Sequence, residues 1–226
     1  MKLGVSRVRL RLRKPHLSSH GTLSERELLT VSLTDEGGVT GYGEAAPLEP
    51  YDGVSIARVE QALERYRPVL EGAADMNGAE IVDACRRVED LPEAFAAIDL
   101  ALWDLAGRRM GRPVSSLVTD TPARAVAVNA TLSALDRTAA AEQARRAVKL
   151  GFACVKVKVG VGDDASRVAA VRAAAGPHLA LRLDANGAWS VEQAVRSIEA
   201  LAPVGLELVE EPVHGLSLVR EVRARV

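Results

Sequence analysis

The segment GFACVKVKVG, at residues 151–160, contains the most apolar strand pattern of a repeat in the second half of the chain, with Lys156 and Lys158 alternating with valines. Around it, a short β-rich run followed by a helical stretch occurs four times in the second half of the sequence. The four predicted strands cover residues 125–131, 153–159, 179–184 and 205–210. Strands that alternate with helices predict a parallel sheet with crossover helices, which is an α/β fold.

The repeat is more typical of a barrel than of a nucleotide-binding sheet. No phosphate-binding glycine motif follows any of the four predicted strands, and this disfavours the nucleotide and dinucleotide folds. A complete eight-unit barrel needs about 250 residues, whereas residues 123–226 provide room for only four units. We therefore expect residues 123–226 to form the first half of a (β/α) barrel with an open sheet edge.

The first part of the chain, residues 1–122, predicts a small α+β domain. Arginines alternate with valine and leucine over residues 6–14, which is typical of a half-buried strand. Residues 27–34 and 39–44 flank the turn Asp35-Glu36-Gly37-Gly38, so a three-stranded meander is expected. Ser55 and Pro92 are placed to begin two helices. The core stripe of the second helix is predicted at Phe95, Ile98, Leu102, Leu105 and Met110.

Composition excludes several classes of function. The 226 residues carry 29 Lys and Arg against 30 Asp and Glu, so no general basic surface is available to follow a nucleic acid backbone. No apolar run approaches the roughly 18–20 residues of a membrane span, and no apolar signal core follows the first residues. A cytoplasmic protein is the expectation. Cys85 and Cys154 lie far apart in the sequence, which predicts reduced packing residues.

Lys156 and Lys158 are the first candidate functional residues. Strand alternation places both side chains on one face, opposite the valines, and therefore inside the predicted barrel. Burying two ammonium groups is costly unless they meet carboxylates, a metal site or a substrate anion. Each charge also lowers the pKa of the other, which favours a neutral amine that can accept a proton. The alternative is a lysine pair that reaches solvent at the strand end.

Two acidic residues end the next two predicted strands. Asp184 and Glu210 stand at the strand ends where barrel enzymes keep their active sites. Oxygen ligands on adjacent strands suit a hard cation, with Mg²⁺ preferred and Mn²⁺ second. Glu211 faces away from Glu210 by alternation, so we expect only Glu210 to bind the metal.

Two further polar residues have open roles. Asn186 can hydrogen-bond a ligand carboxylate or a substrate oxygen, but an Asn-Gly pair is also a common turn. Arg182 shares a strand face with Asp184, and it either reaches a substrate carboxylate or forms a buried ion pair.

These motifs together resemble the enolase superfamily. The resemblance is carried by Lys156-Val-Lys158, Asp184-Ala-Asn186 and Glu210-Glu-Pro212 behind a small α+β domain. The segments GYGEAAP (41–47), AAIDLALWDLAGRRMG (96–111) and GFACVKVKVG also resemble landmarks of its muconate-lactonizing subgroup. That subgroup includes muconate cycloisomerases, dipeptide epimerases and o-succinylbenzoate synthases.

The resemblance implies a specific chemistry and a small-molecule carboxylate substrate. A divalent metal would bind the substrate carboxylate and stabilise the enolate formed when the α-proton leaves. Lys158 would be the acid/base, and Lys156 would tune its pKa and orientation. The loop at 16–22, with Ser19 as a candidate substrate-binding residue, and the segment 46–53 resemble capping loops that close over substrate. Association into a homo-oligomer is compatible with the sequence.

The chain also departs from the family pattern. The family has a third metal-binding carboxylate on the fifth barrel strand and an opposing lysine on the sixth, and extrapolation places the third ligand about ten residues beyond Val226. The resemblance thus implies a piece truncated after the fourth barrel unit. Two alternatives to an active enzyme remain open. The piece is catalytically inactive, or two half-barrels pair to form a complete barrel.

The run RLDANGAWS (181–189) and the KVKVG strand look most like synthase members. The expected reaction is therefore o-succinylbenzoate synthesis by dehydration, in menaquinone biosynthesis. Muconate-type cycloisomerisation and dipeptide epimerisation are the alternatives.

Overall fold

The structure, a computed structural model, describes residues 1–18 and 21–226. Contacts between residues divide the chain into a first unit, built on Met1–Pro15 and Leu23–Arg124, and a second unit, built on Ala125–Val226. Each unit has its own apolar core. Within the described ranges, every helix is too short or too polar to cross a membrane.

The first unit contains the expected meander. Strands β1 (Lys2–Ser18), β2 (Gly21–Thr34) and β3 (Thr40–Ala45) lie in that order in one sheet. Strands β2 and β3 are antiparallel. The strand predicted over residues 6–14 is present within β1, and Val8 and Leu12 are partly buried between exposed arginines, but Leu10 at its centre is 47% exposed. The apolar core of the first unit contacts the beginning of β1, where Leu3 is buried.

Five helices follow the sheet in the first unit, within the part of the chain that the structure describes. They are α1 (Glu49–Asp52), α2 (Ile56–Glu71), α3 (Gly78–Val88), α4 (Pro92–Met110) and α5 (Ser115–Val118). The predicted starts of α2 and α4 are confirmed, since the Ser55 side chain accepts the backbone N–H of Arg58 and Pro92 opens α4. Helix α3 was not predicted, although Asn77 and Glu80 form its capping box.

Helix α4 lies against β3 through small residues. Its buried face is Ala94, Ala97, Ile98, Ala101, Leu105 and Gly107. Of the predicted stripe, Ile98 and Leu105 are buried and Phe95 and Leu102 pack partly buried against the core, while alanines fill the rest of the face. Gly41 and Gly43 face this helix, and a Cβ at either position would overlap its backbone. Met110, at the last position of α4, is 59% exposed and does not belong to the core.

The second unit is a parallel four-stranded sheet of a partial barrel, as the sequence predicts. Its strands are β4 (Ala130–Leu132), β5 (Cys154–Lys158), β6 (Ala180–Asp184) and β7 (Leu208–Glu210), in that order. The connecting helices are α6 (Arg137–Lys149), α7 (Asp164–Ala175) and α8 (Val191–Leu201), and α9 (Leu216–Arg223) follows β7. Strand β4 is shorter than expected, because residues 125–129 form no strand.

Candidate active site

The register of the parallel sheet brings three polar residues to one edge. Lys158 is aligned with Asp184, and Asp184 is aligned with Glu210, so all three end their strands side by side. Lys156 is aligned with Arg182, two residues earlier on β5 and β6. Because carboxyl ends of parallel strands meet at the same edge, residues far apart in sequence share one surface.

The side chains at this edge are joined by short contacts. Lys158 Nζ donates to Asp184 Oδ2 at 2.8 Å and to Asn186 Oδ1 at 2.6 Å. Lys156 Nζ lies 2.9 Å from the same Asp184 oxygen and donates to Glu210 Oε2 at 3.1 Å. We call these five residues the lysine–carboxylate cluster. Both ammonium groups therefore share one carboxylate oxygen.

Burial in the cluster decreases from Asp184 outward. The Asp184 side chain is 1% exposed, that of Lys158 10% and that of Lys156 19%, whereas that of Glu210 is 50% exposed. The valines that alternate with the lysines are buried on the opposite face of β5. Alternation thus separates an apolar face, covered by helices, from a polar face on which the charges compensate one another.

The charges in the cluster change two pKa values. Burial by itself would lower the pKa of Lys156, but its hydrogen bonds to Asp184 and Glu210 outweigh burial and raise the pKa above its ordinary value. The expectation of a lowered pKa is therefore wrong for Lys156, because the carboxylates dominate over the neighbouring ammonium. Burial also opposes ionisation of Asp184, yet hydrogen bonds from Lys158 and Lys156 hold its pKa below the usual range.

The backbone after β6 and β7 orients the remaining polar groups. Asn186 has a φ of 46°, and its N–H donates to Asp184 Oδ1 at 3.1 Å. Asn186 therefore forms the turn after β6, and its side chain also accepts a hydrogen bond from Lys158. Glu211 has a φ of 43°, and its carbonyl accepts the N–H of Gly187 at 2.7 Å. The left-handed backbone at Glu211 therefore turns the chain away from the direction of β7, which ends at Glu210.

The other candidates differ in their surroundings. Arg182 Nε lies 2.6 Å from Glu207 Oε2, which is the ion-pair alternative, although the pair is only partly buried. Ser19 lies outside the described residues. Arg167, which lies outside every motif of the sequence, is buried behind Lys158 and donates a hydrogen bond to its carbonyl oxygen. Carbonyl contacts leave no pattern of side chains in a sequence, so only its place in an apolar helix could have drawn attention.

The donor set at this edge fits a hard cation in part. Asp184 and Glu210 present carboxylates from neighbouring strands, and such oxygens are the ligands that Mg²⁺ prefers. In the part of the chain that the structure describes, no group of three or more His, Cys, Asp or Glu side chains could hold a metal ion. The two lysines neutralise the same carboxylates, so a dication would compete with them for these oxygens.

Two family descriptions match the chain. Residues 2–119, more than half of the chain, match the N-terminal domain of mandelate racemase / muconate lactonizing enzyme. Residues 139–226 match the enolase C-terminal domain-like family.

Individual relatives agree with this assignment. A hydrophobic dipeptide epimerase from Enterococcus faecalis is 34% identical over 91% of this chain and 58% of its own length. Muconate cycloisomerase 1 from Rhodococcus opacus is 33% identical over 91% of this chain and 57% of its own length. The chain therefore spans less than two thirds of these relatives.

Solved structures show the same similarity. The E. faecalis dipeptide epimerase complexed with Mg and the dipeptide L-Leu-L-Tyr has a TM-score of 0.91 and 33% identity, and the match covers 100% of this chain and 65% of that one. N-succinyl Arg/Lys racemase from Bacillus cereus has a TM-score of 0.92 and 28% identity, with 100% and 64% covered. With the family match over residues 2–119 and the strand-end cluster, these similarities show that the chain belongs to the mandelate racemase / muconate lactonizing enzyme family of the enolase superfamily.

Proposed function

We propose that this chain takes part in metal-dependent abstraction of a proton α to a carboxylate, with Lys158 as the acid/base. The observation that carries the proposal is the placement of Lys158 Nζ within 2.8 Å of Asp184 and 2.6 Å of Asn186, at a strand end aligned with Glu210. Asp184 and Glu210 are the proposed ligands of Mg²⁺, with Mn²⁺ as a substitute. When bound, the dication supplies positive charge against the negative charge that develops on the substrate carboxylate.

The residues of the chain have separate tasks in this proposal. Lys158 is 10% exposed, so contact of its amine with bulk water is limited while it holds or releases the proton. Asp184 and Asn186 fix the direction of Nζ through two hydrogen bonds. Lys156, whose pKa is raised by its hydrogen bonds to Asp184 and Glu210, keeps a positive charge beside the amine of Lys158.

Among the reactions of the family, we propose dipeptide epimerisation. The support is that relatives from E. faecalis, Bacillus subtilis and Cytophaga hutchinsonii are dipeptide epimerases. Muconate-type cycloisomerisation is the second candidate, because the R. opacus cycloisomerase is 33% identical. The o-succinylbenzoate synthesis expected from the sequence has no support from the relatives described above.

The core proposal is tested by hydrogen exchange. The chain is incubated with Mg²⁺ and the dipeptides L-Ala-L-Glu and L-Leu-L-Tyr in D₂O, and loss of the α-proton signal is followed by NMR. We expect exchange that requires Mg²⁺, is abolished in Lys158→Met and is retained in Lys149→Met, an exposed lysine of α6. Absence of exchange, or equal exchange in the two variants, would contradict the proposal for this chain.

A second experiment separates the three reactions. The same preparation is supplied with a dipeptide, with cis,cis-muconate and with the cyclohexadiene substrate of the synthases, and products are separated by chromatography. Epimerisation predicts that only the dipeptide is converted, to its second diastereomer, with Lys158 taking the α-proton on one face and solvent returning a proton on the other. Turnover of only muconate would establish the second candidate, and turnover of only the cyclohexadiene would overturn both.

A further inference from the structure

Arg167 is a buried charged residue that no sequence motif marks. It stands in the first turn of α7, and its side chain is 1% exposed. It is not part of the lysine–carboxylate cluster. Burial of a guanidinium is costly unless its donors are paired, so its contacts should explain why an arginine occupies this position.

The guanidinium of Arg167 contacts the end of β5 and the segment that follows β4. Its Nη2 donates to the carbonyl oxygen of Lys158 at 2.8 Å and to Asp164 Oδ1 at 2.6 Å, and its Nη1 donates to the carbonyl oxygen of Ala134 at 2.9 Å. The second oxygen of Asp164 accepts the N–H of Gly160 at 2.7 Å. The Asp164–Arg167 pair therefore holds the backbone on both sides of Val159, directly after the lysine.

We propose that Arg167 is a positioning residue for Lys158. It touches neither substrate nor metal in this proposal, and it acts by fixing the backbone from which the lysine side chain departs. The catalytic part of the inference rests on the proposed function, whereas the positioning part does not. Proton transfer is sensitive to displacements of about 1 Å, so a loose strand end should slow the reaction more than it weakens binding.

Packing alone would not require this residue. An unbranched apolar side chain would occupy the same space without desolvating a charge, and in the described residues the buried Nε of Arg167 has no hydrogen-bond partner. The bonds that Arg167 does make converge on the carbonyl of Lys158 and on the carboxylate that holds Gly160. These contacts place its effect at the end of β5.

Arg172, on the same helix, provides a matched control. Its guanidinium also bonds backbone carbonyls, with Nε 2.7 Å from Val204 O and Nη1 2.7 Å from Leu179 O. These carbonyls precede β7 and β6, at the opposite end of the sheet from Lys158. Arg172→Met therefore removes a comparable set of bonds without loosening the end of β5.

The first test observes Lys158 without turnover. The chain has five lysines, so a sample labelled with ¹³C at lysine Cε gives five signals, and Lys158→Met assigns one of them. We expect Arg167→Met to shift the Lys158 signal and to remove the inequivalence of its two ε-protons. Arg172→Met should leave this signal unchanged. An unaltered Lys158 signal in Arg167→Met, or an equal change in Arg172→Met, would overturn the proposal.

The second test measures exchange kinetics. Arg167→Met is expected to lower kcat for α-proton exchange by about 10- to 100-fold and to change KM less than about 3-fold. If Arg167→Met does not fold, Arg167→Lys is the deciding variant, because a lysine keeps the charge but lacks the planar fork whose two terminal nitrogens separately reach the carbonyls of Ala134 and Lys158. It should show the same NMR change. A wild-type chain without exchange would end the proposed function and leave the NMR result standing.

Discussion

At the scale of single residues, Asp184 holds the cluster together. Its carboxylate is 1% exposed and accepts two ammonium groups. Removing one partner of a buried ion pair costs about 3–5 kcal/mol, because the other charge remains buried. Asp184→Asn should therefore lower the free energy of unfolding of the second unit by about 3 kcal/mol in the absence of metal.

This loss can be measured by urea unfolding of the second unit. The chain has two tryptophans, and in a Trp103→Phe background only Trp189, which packs against the core of the second unit, reports. Glu207→Gln is the control, because its ion pair with Arg182 is partly exposed and should contribute less than about 1 kcal/mol. Equal losses in the two variants would show that burial of Asp184 does not decide its contribution.

Two buried acids predict instability at alkaline pH. Burial raises the pKa of Cys85 from 9.0 to about 11 and that of Tyr66 from 10.0 to about 12. The folded state keeps these two protons to a higher pH than the unfolded state does. The two groups therefore stabilise the folded state fully below about pH 9, and this contribution is lost as the pH rises through 11 for Cys85 and 12 for Tyr66. Between pH 9 and 11, Cys85 should account for a loss of about 2 kcal/mol.

The slope of stability against pH tests this prediction. Trp103 reports on the first unit in a Trp189→Phe background, and unfolding by urea is repeated at several values between pH 8 and 11. Cys85→Ala should be less stable at neutral pH but should show a flatter decline above pH 9. Parallel slopes for the two proteins would mean that the thiol does not remain protonated in the folded state.

The residues of the site differ in how well sequence predicts them. Lys156, Lys158, Asp184 and Glu210 could be found because strand alternation and the spacing of strand ends place their backbones. The direction of the pKa shift of Lys156 could not be predicted, because it depends on which carboxylate oxygens each ammonium group contacts. Arg167 leaves no periodic signal, because its partners are carbonyl groups that every residue carries.

At the scale of elements, the contact between β3 and α4 depends on glycine. A Cβ at Gly43 would overlap the carbonyl oxygen of Ala97, a backbone atom that cannot move without displacing the helix. We expect Gly43→Ala to destabilise the first unit by about 3 kcal/mol, as overpacking of a core does. Gly78→Ala, at the start of α3 with no atom within 4 Å of its added Cβ, should be neutral or slightly stabilising.

Thermal unfolding followed by Trp103 fluorescence measures both glycine variants. A Gly43→Ala protein that melts with the wild type would mean that α4 can withdraw from the sheet at little cost. Gly43 stands in the GYGEAAP segment, which resembles a landmark of the family. The close approach explains it physically, because alanines on α4 and glycines on β3 together remove the space for side chains.

Elements were predictable where local signals agreed. Ser55 and Pro92 each mark a helix start that the structure contains. Helix α3 was missed although its capping box, Asn77 and Glu80, stands in the sequence, because only two of its 11 residues are buried and few large apolar residues mark it. Strand β4 was overestimated because β-branched residues at 126 and 128 suggest a strand, whereas pairing with β5 extends only over Ala130–Leu132.

At the scale of the whole molecule, the sheet of the second unit leaves apolar groups uncovered beside its first edge strand. Val126 is 80% exposed and Val128 67% exposed, and the adjacent β4 pairs with β5 on one side of the described sheet. Exposed apolar residues next to an unpaired strand edge favour association between chains. We therefore expect the chain to self-associate as its concentration rises, and Val126→Lys/Val128→Lys to weaken this association by about tenfold.

Sedimentation velocity over a wide concentration range measures this self-association, with Val148→Lys, at a 43% exposed valine of α6, as the control. If the control weakens association as much as the double variant does, general surface hydrophobicity and not this edge is responsible, and a monomer at every concentration would contradict the prediction outright.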